Sequence, residues 1–417
     1  MRVFAYSTLL LVIAAVTPAA AQEFGGHIKT QLLATSYPSD SLFRQLIGST
    51  SSDQNLDARL KLTANRDAWD LTADYQFIVL HGDNVELGRN LPPEFRFFTG
   101  RLPEDDRRLL DLTHVITDDG KLAALHRLDR LAVGYTSDKT VVRFGRQAVS
   151  WGNGLIYSPM DIFNPFDPAT VDKEYKTGDD MLYGQYLRDS GDDIQTVLVF
   201  RRDPLSGDVE SDQSSLGFKY HGFMGSSEYD LLAASHFDDA LLGVGGNRSI
   251  GGAIWRGDIV LTSTDDDTVA SVVTSLSHSW TWSEKNVSGT LEYFFNGFGQ
   301  RDGRYDPVSL AANPELINRI ARGELFTLGR HYLGASALIE MTPLFLLTPN
   351  VFVNLSDGSA LFQLVTQNDL RENLLLLGAL NLPVGSSGTE FGGIDTGVPG
   401  IQLSSGAGIF LQLAWYF

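Results

Sequence analysis

The side chains most able to do chemistry in this sequence are basic residues on consecutive segments of alternating polarity. Five of them fall on the polar parity of their segments: Arg130, Arg143, Arg188, Arg201 and Lys219. Asp193 is nearly their only acidic companion. Guanidinium and ammonium groups bind carboxylates through charge-assisted hydrogen bonds. This set, called the basic wall, therefore predicts the binding and steering of anions.

The same parity assigns a mostly acidic set to the other segments. Its members are Asp57, Asp70, Asp74, Glu228, Asp230, Asp258, Glu292 and Glu340, with Arg59, Lys61 and Arg256 among them. Opposed charged walls across a narrow channel create a transverse field that favours charged solutes. The alternative is that these charges pair with one another and with loops, which satisfies a buried polar interior.

Strands must position these residues, because apolar side chains recur at every second position. In one segment Trp69, Ala73 and Phe77 share a face, and Asp70 and Asp74 share the other. Eighteen strands are predicted: 26–35, 55–64, 68–80, 128–136, 139–147, 181–189, 193–202, 214–222, 227–236, 240–246, 250–262, 268–280, 287–297, 331–341, 344–355, 359–367, 373–382 and 405–417. Sixteen is the fallback, because 240–246 is weak.

Loop lengths separate into two rims, as in a closed meander. The long connections 81–127, 148–180, 298–330 and 383–404 all fall on one rim, and short turns fall on the other. A soluble sandwich would also alternate. The terminal strand, with Leu411, Leu413, Trp415 and Phe417 on one face, resembles the signal by which outer-membrane barrels are recognised for insertion.

We therefore predict an all-β fold, a single closed transmembrane antiparallel β-barrel in a Gram-negative outer membrane. Short periplasmic turns and long extracellular loops connect its strands. The expected partners are outer-membrane lipid, the barrel insertion machinery and a small charged or polar solute, and a periplasmic export partner is an alternative. The chain has 51 acidic and 32 basic residues among 417, which argues against a nucleic-acid partner.

The N-terminus has the pattern of a secretory signal peptide, residues 1–21. Arg2 precedes an apolar run, and small residues end at Ala21. The run is shorter than the ~20 residues that a membrane-spanning helix needs. Residues 22–417 then form the barrel.

Loop 148–180 is rich in Pro, Asx and aromatic residues, which is typical of a shaped loop. We predict that it folds inward and forms a constriction with Trp151, Asp161, Phe163, Asn164 and Asp167. A packed external cap is the alternative. Short helices are expected at Asp105 to Ile116 and from Asn313 to Arg322.

Catalytic chemistry has little support. The chain lacks Cys, and its eight His residues are scattered with no pair at metal-ligand spacing. No Gly-x-Ser-x-Gly element surrounds a plausible serine. We predict no catalytic residue, no metal and no cofactor, and a barrel hydrolase is the less favoured alternative.

Gly145-Arg146-Gln147, followed by Ser150-Trp151-Gly152, resembles an element of alginate-export-type outer-membrane barrels. That resemblance implies an eighteen-stranded barrel with an Arg-rich lumen that passes an acidic polysaccharide. It would place Arg146, with the basic wall, in a pathway for carboxylated solutes. The acidic loops of this chain depart from that pattern. The function predicted is a porin-like channel for small polar or carboxylated solutes; an export conduit or scaffold acting with an envelope partner is the alternative.

Overall fold

The computed structural model describes residues 21–91 and 102–417. Its strands are β1 (Ala21–Ser36), β2 (Thr50–Arg66), β3 (Trp69–Gly82), β4 (Thr113–Asp119), β5 (Leu122–Thr136), β6 (Thr140–Gln147), β7 (Asp179–Leu187), β8 (Asp193–Val199), β9 (Ser215–Met224), β10 (Ser227–His236), β11 (Asp239–Ile250), β12 (Ala253–Ser263), β13 (Thr268–Trp282), β14 (Lys285–Phe295), β15 (His331–Thr342), β16 (Phe345–Asn354), β17 (Ala360–Arg371), β18 (Leu374–Val384), β19 (Ile394–Asp395), β20 (Gln402–Leu403) and β21 (Gly408–Tyr416). The helices are α1 (Leu42–Ile47), α2 (Asp83–Asn90), α3 (Pro307–Ala311) and α4 (Pro314–Ala321).

Eighteen of the described strands close into one antiparallel barrel. Strand β1 pairs with β2 on one side and with β21 on the other, so the sheet has no free lateral edge. Within the described ranges, strand β4 pairs only with β5, and β19 with β20 forms a separate small ribbon. The predicted fold and the eighteen predicted strands are confirmed, including 240–246, which lies in β11.

The two rims differ as the loop lengths predict. One rim carries only short turns, at 67–68, 137–139, 188–192, 225–226, 251–252, 283–284, 343–344 and 372–373. The opposite rim carries the long connections 83–121, 148–178, 296–330 and 385–407. Helices α1 to α4 all lie in connections of the long-loop rim.

Alternation along the strands gives the barrel an apolar outer surface. In β21, Leu411 and Trp415 are each 44% exposed, whereas Gln412 and Ala414 between them are buried. Soluble monomers rarely expose such continuous apolar surface. In a bilayer, a sheet can pair all its backbone amides only by closing on itself, as this sheet does.

Two predicted helices have different outcomes. Asn313 caps α4 by accepting a hydrogen bond from the Leu316 N–H at 3.3 Å, so the helix at 313–322 is confirmed. The helix predicted at 105–116 is wrong. The Asp105 carboxylate instead accepts the Leu112 N–H at 2.8 Å, and this hydrogen bond holds residues 105–112 in a loop. Strand β4 then begins at Thr113.

The predicted signal peptide falls almost entirely on residues 1–20, which lie outside the described residues. No helix among the described residues is both long and apolar enough to cross a bilayer.

Candidate functional site

Residues 148–178, called the lumen loop, connect β6 with β7 and run through the interior of the barrel. Their hydrogen bonds and ring contacts reach side chains on strands all around the circumference, namely β8, β10, β12, β14, β15, β17, β21, β1, β2 and β5. Because opposite walls are both contacted, the loop divides the lumen instead of lining one side of it.

The first half of the lumen loop is held by carboxylates of strands β12 and β14. Glu292 of β14 accepts hydrogen bonds from the backbone N–H groups of Leu155 at 2.7 Å, Ile156 at 3.0 Å and Tyr157 at 2.6 Å. Asp258 of β12 accepts the Asn153 N–H at 2.7 Å. Backbone amides therefore satisfy buried carboxylates that would otherwise be costly.

The second half of the lumen loop is held by basic side chains on the opposite wall. Lys29 of β1 forms ion pairs with Asp172 at 2.6 Å and with Glu174 at 2.7 Å. The Tyr175 ring lies 4.0 Å from the Arg59 guanidinium, a cation–π contact. Acidic side chains thus hold uncharged backbone amides of the first half, and a basic side chain holds carboxylates of the second half.

An internal ion pair closes the base of the lumen loop. Lys176 Nζ lies 2.6 Å from Asp161 Oδ1 and also donates to the Val149 carbonyl at 2.6 Å. Burial raises the pKa of the Asp161 carboxyl to about 6, and the ammonium of Lys176 opposes that shift. Both ends of the loop are therefore fixed to each other.

A charged cavity of about 200 Å³ lies between the lumen loop and strands β1, β2, β3 and β5. It is called the basic cavity, and its charged wall residues are Lys29, Arg59, Arg127, Asp57 and Asp129. A second cavity, of about 360 Å³, shares Gln31 and Asp172 with it and reaches Thr35 near the long-loop rim. The two cavities together extend along strand β1 toward the long-loop rim.

Asp129 organises the cations of this wall. Its carboxylate lies 2.7 Å from Arg59, 2.6 Å from Arg127 and 3.0 Å from Arg130. The pairing of β3 with β5 shifts register opposite Asp129, which marks a β-bulge. The bulge lets Arg127 and Arg130 both face the interior, although they are an odd number of residues apart.

Three members of the predicted basic wall lie on the inner face of the barrel. Arg130 donates to the Lys176 carbonyl, and Lys219 pairs with Asp230 at 3.4 Å. Arg143 keeps 46% of its side chain exposed, and its one ion pair among the described residues is a long contact with Asp70, at 3.6 Å. Among the predicted residues, Arg143 is therefore well placed to meet a solute.

Arg201 and Arg146 are buried and ion-paired near the long-loop rim. Arg201 lies 2.7 Å from Asp179, and Arg146 lies 2.9 Å from both Asp180 and Asp105. Neither borders the basic cavity.

Arg188 departs from the prediction. It lies in the turn after β7, at the short-turn rim, where it contacts Asp192 at 3.8 Å and the Tyr220 hydroxyl at 3.4 Å. Leu182 and Tyr186, which share its parity, are exposed on the outer face. The placement of Arg188 on the inner wall is therefore wrong.

The predicted constriction residues mainly pack the lumen loop against strands β7 to β12. Trp151 donates from Nε1 to Gln195 at 2.8 Å, and the Phe163 ring meets its edge at 5.2 Å between centroids. Asn164 adopts a left-handed conformation with φ of 53°, and the Asp167 carboxylate accepts the Ala169 N–H at 2.9 Å. These residues shape the loop, and Asp161 anchors its base.

Lys29, Arg127 and Tyr175 border the basic cavity, but sequence reasoning did not select them. Lys29 lies in a predicted strand on the polar parity, so alternation alone could have found it. Arg127 sits beyond the bulge, where simple alternation fails. Tyr175 depends on how the loop folds, and local sequence carries no signal for that.

An apolar cavity of about 90 Å³ lies on the other side of the lumen loop. It is called the aromatic cavity, because its lining includes the rings of Tyr157, Phe166, Phe294, Phe298 and Phe326. Tyr157 stacks on Phe294 with 4.8 Å between centroids. Among the described residues, no group of three or more His, Asp or Glu side chains is arranged to hold a metal ion.

Comparison of the folded chain with solved structures yields outer-membrane barrels. OccAB4 of Acinetobacter baumannii superposes with a TM-score of 0.54 at 7% identity, covering 95% of this chain and 98% of that one. A BenF-like porin from Pseudomonas fluorescens Pf-5 gives 0.52 at 8% identity, covering 95% and 98%. The fold is that of an outer-membrane β-barrel.

A third similar structure is Wzi of Escherichia coli, described as an outer-membrane protein involved in group 1 capsule assembly and as a carbohydrate-binding β-barrel. Its TM-score is 0.50 at 9% identity, with coverage of 98% of this chain and 86% of that one. No family model matches the sequence, and no curated protein resembles it in sequence. Identities this low reveal shared architecture, which here is that of porin-like barrels of the outer membrane.

Proposed function

We propose that this outer-membrane barrel is a porin-like channel that passes small polar and carboxylated solutes. The observation that carries the proposal is the basic cavity, where Lys29, Arg59 and Arg127 line a space between the lumen loop and the barrel wall. Cationic groups on one wall attract carboxylates, and the neighbouring Asp57 and Asp129 moderate that attraction. A channel needs sites that bind its solute weakly enough to release it.

Arg143 does not border the basic cavity, but it offers a test of the charge on the basic wall. Replacing Arg143 with Gln removes an exposed inner cation and should lower the permeability ratio of chloride to potassium in a planar bilayer. Arg188→Gln is the matched control, because its guanidinium lies at the outer side of the short-turn rim. An unchanged reversal potential for Arg143→Gln in a salt gradient would refute a role for this wall in selectivity.

A second candidate is an export conduit for an acidic polysaccharide, as the alginate-export resemblance implies. The aromatic cavity favours it, because sugar rings stack on aromatic faces, and the similar fold of the carbohydrate-binding Wzi is consistent with it. In this proposal an envelope partner delivers the polysaccharide to the barrel. We also propose that the insertion machinery recognises β21. Binding of polyuronate oligomers by the purified barrel, compared with neutral oligomers of equal length, tests it; equal affinities would count against it.

A further inference from the structure

Lys29 is a buried cation whose partners come from the lumen loop. Its side chain is 3% exposed, and its ammonium contacts Asp172 Oδ2 and Glu174 Oε2. The Tyr416 hydroxyl of β21 donates to the same Glu174 oxygen at 2.8 Å. The barrel wall therefore supplies one ammonium and one hydroxyl, and the loop supplies two carboxylates.

The two sides of this contact differ in burial. The Asp172 and Glu174 side chains are 23% and 34% exposed, so each can return to water at little cost. Lys29 cannot, and a buried ammonium without a partner is strongly destabilising. If the loop carboxylates move away, the Lys29 ammonium needs other anions at the same positions.

By contrast, the carboxylate of Asp129 is itself buried and held by three guanidinium groups. A solute cannot easily displace it, because its removal would leave three cations unpaired. Exchange of partners is therefore favoured at Lys29 and disfavoured at Asp129, although both lie in the basic cavity.

We propose that Lys29 and Tyr416 form a binding site for a dicarboxylate, and that Asp172 and Glu174 occupy it as a tethered ligand. The two loop oxygens contact one ammonium, so they lie no farther apart than the sum of their distances to it. Short aliphatic dicarboxylates such as glutarate present two carboxylates at that spacing. This inference rests on the proposed function. It assigns short dicarboxylates as the solutes of the channel, and Asp172 and Glu174 as groups that compete with them for the site.

A tethered ligand lowers the apparent affinity for a free one, because its effective concentration is about millimolar or higher. Asp172→Asn with Glu174→Gln should therefore strengthen block of chloride current by glutarate. We expect the half-blocking concentration to fall at least tenfold relative to the native barrel. Asp208→Asn with Asp212→Asn removes the same charge from the exposed loop between β8 and β9 and should leave block unchanged.

Lys29→Gln separates the site from its competitor. This variant also releases the loop carboxylates but removes the ammonium, so it should gain no sensitivity to glutarate. If the double loop variant does not assemble, Glu174→Gln alone removes one of the two competing carboxylates and should also strengthen glutarate block. The inference is overturned if glutarate blocks the double variant and the native barrel at equal concentrations, or if Glu174→Gln leaves block unchanged.

Calorimetry of the detergent-solubilised barrels with glutarate measures the same site without current. Tenfold tighter binding to the double variant in a barrel that does not conduct would overturn the proposed channel and support the inference. Conduction by a barrel that binds glutarate equally in both forms would support the channel and overturn the inference.

Discussion

The Glu292 carboxylate accepts the backbone N–H of Tyr157 at 2.6 Å, and this contact joins the wall of the barrel to the loop inside it. Glu292 is fully buried, and it also accepts the N–H groups of the two preceding residues. One wall side chain thus fixes three successive amides. The position of the lumen loop, and so the size of the cavities beside it, depends on this carboxylate.

Glu292→Gln should release the first half of the lumen loop. The amide replaces one acceptor oxygen with a donor that faces backbone N–H groups, so the docked loop should lose roughly 1–3 kcal/mol. Chymotrypsin provides the measurement, because Tyr157 and Phe163 lie in the first half of the loop. Cleavage there should be several-fold faster than in the native barrel.

Glu340→Gln is the control for that experiment. Its carboxylate accepts only the Asn286 side chain among its described hydrogen bonds, near the short-turn rim, so chymotrypsin should cleave this variant at the native rate. Equal cleavage of the Glu292 variant and the native barrel would contradict the anchoring role.

Gly145→Ala should impair folding of the barrel. Gly145 has φ of 125°, and an added Cβ would lie 2.1 Å from the Leu131 carbonyl oxygen of the neighbouring strand. The strain should cost more than about 2 kcal/mol. The measurement is the temperature at which the folded barrel loses its faster migration in detergent gels.

Gly184→Ala in the adjacent strand β7 is its matched control. An added Cβ there meets no described atom within 4 Å, and φ at that position is not positive. The control should unfold within a few degrees of the native protein. If Gly145→Ala does the same, the backbone geometry at the Gly-Arg-Gln element is not required.

Docking of the 385–407 loop should weaken as pH rises. Burial raises the pKa of the Glu390 carboxyl to about 7, despite hydrogen bonds from the Tyr332 hydroxyl at 2.6 Å and the Leu328 N–H at 2.9 Å. The docked state therefore favours the protonated form. The free energy that protonation of Glu390 contributes to docking is fully present below the ordinary Glu pKa of 4.5 and is lost as pH rises through 7.

Between pH 5 and pH 8 this linkage should weaken loop docking by no more than roughly 3 kcal/mol. Chymotryptic cleavage at Phe391, normalised to a peptide substrate at each pH, reports the undocked fraction. Glu390→Gln should abolish the pH dependence, because its amide does not titrate. A Glu390→Gln profile identical to that of the native barrel would contradict the assignment to Glu390.

The sequence specified the barrel because alternation is a local property. Even the weak segment 240–246 could be placed, since strand count and loop lengths constrain each other. The site was harder to predict. The bulge at Asp129 changes the parity that would have revealed Arg127. Arg188 was assigned to the wrong face, because Leu182 and Tyr186 share its parity and are exposed on the outer surface. Contacts such as Glu292 with Leu155 join residues far apart in sequence and leave no local pattern.

In the proposed channel, carboxylated solutes pass along the wall that Lys29, Arg59 and Arg127 form. Swelling of proteoliposomes in iso-osmotic solutions tests it most directly, by comparing sodium glutarate with a neutral sugar and with a diamine salt of similar size. Glutarate should enter fastest, and Arg127→Gln should remove most of that advantage. Entry of all three solutes at equal rates, or no swelling with any of them, would contradict it.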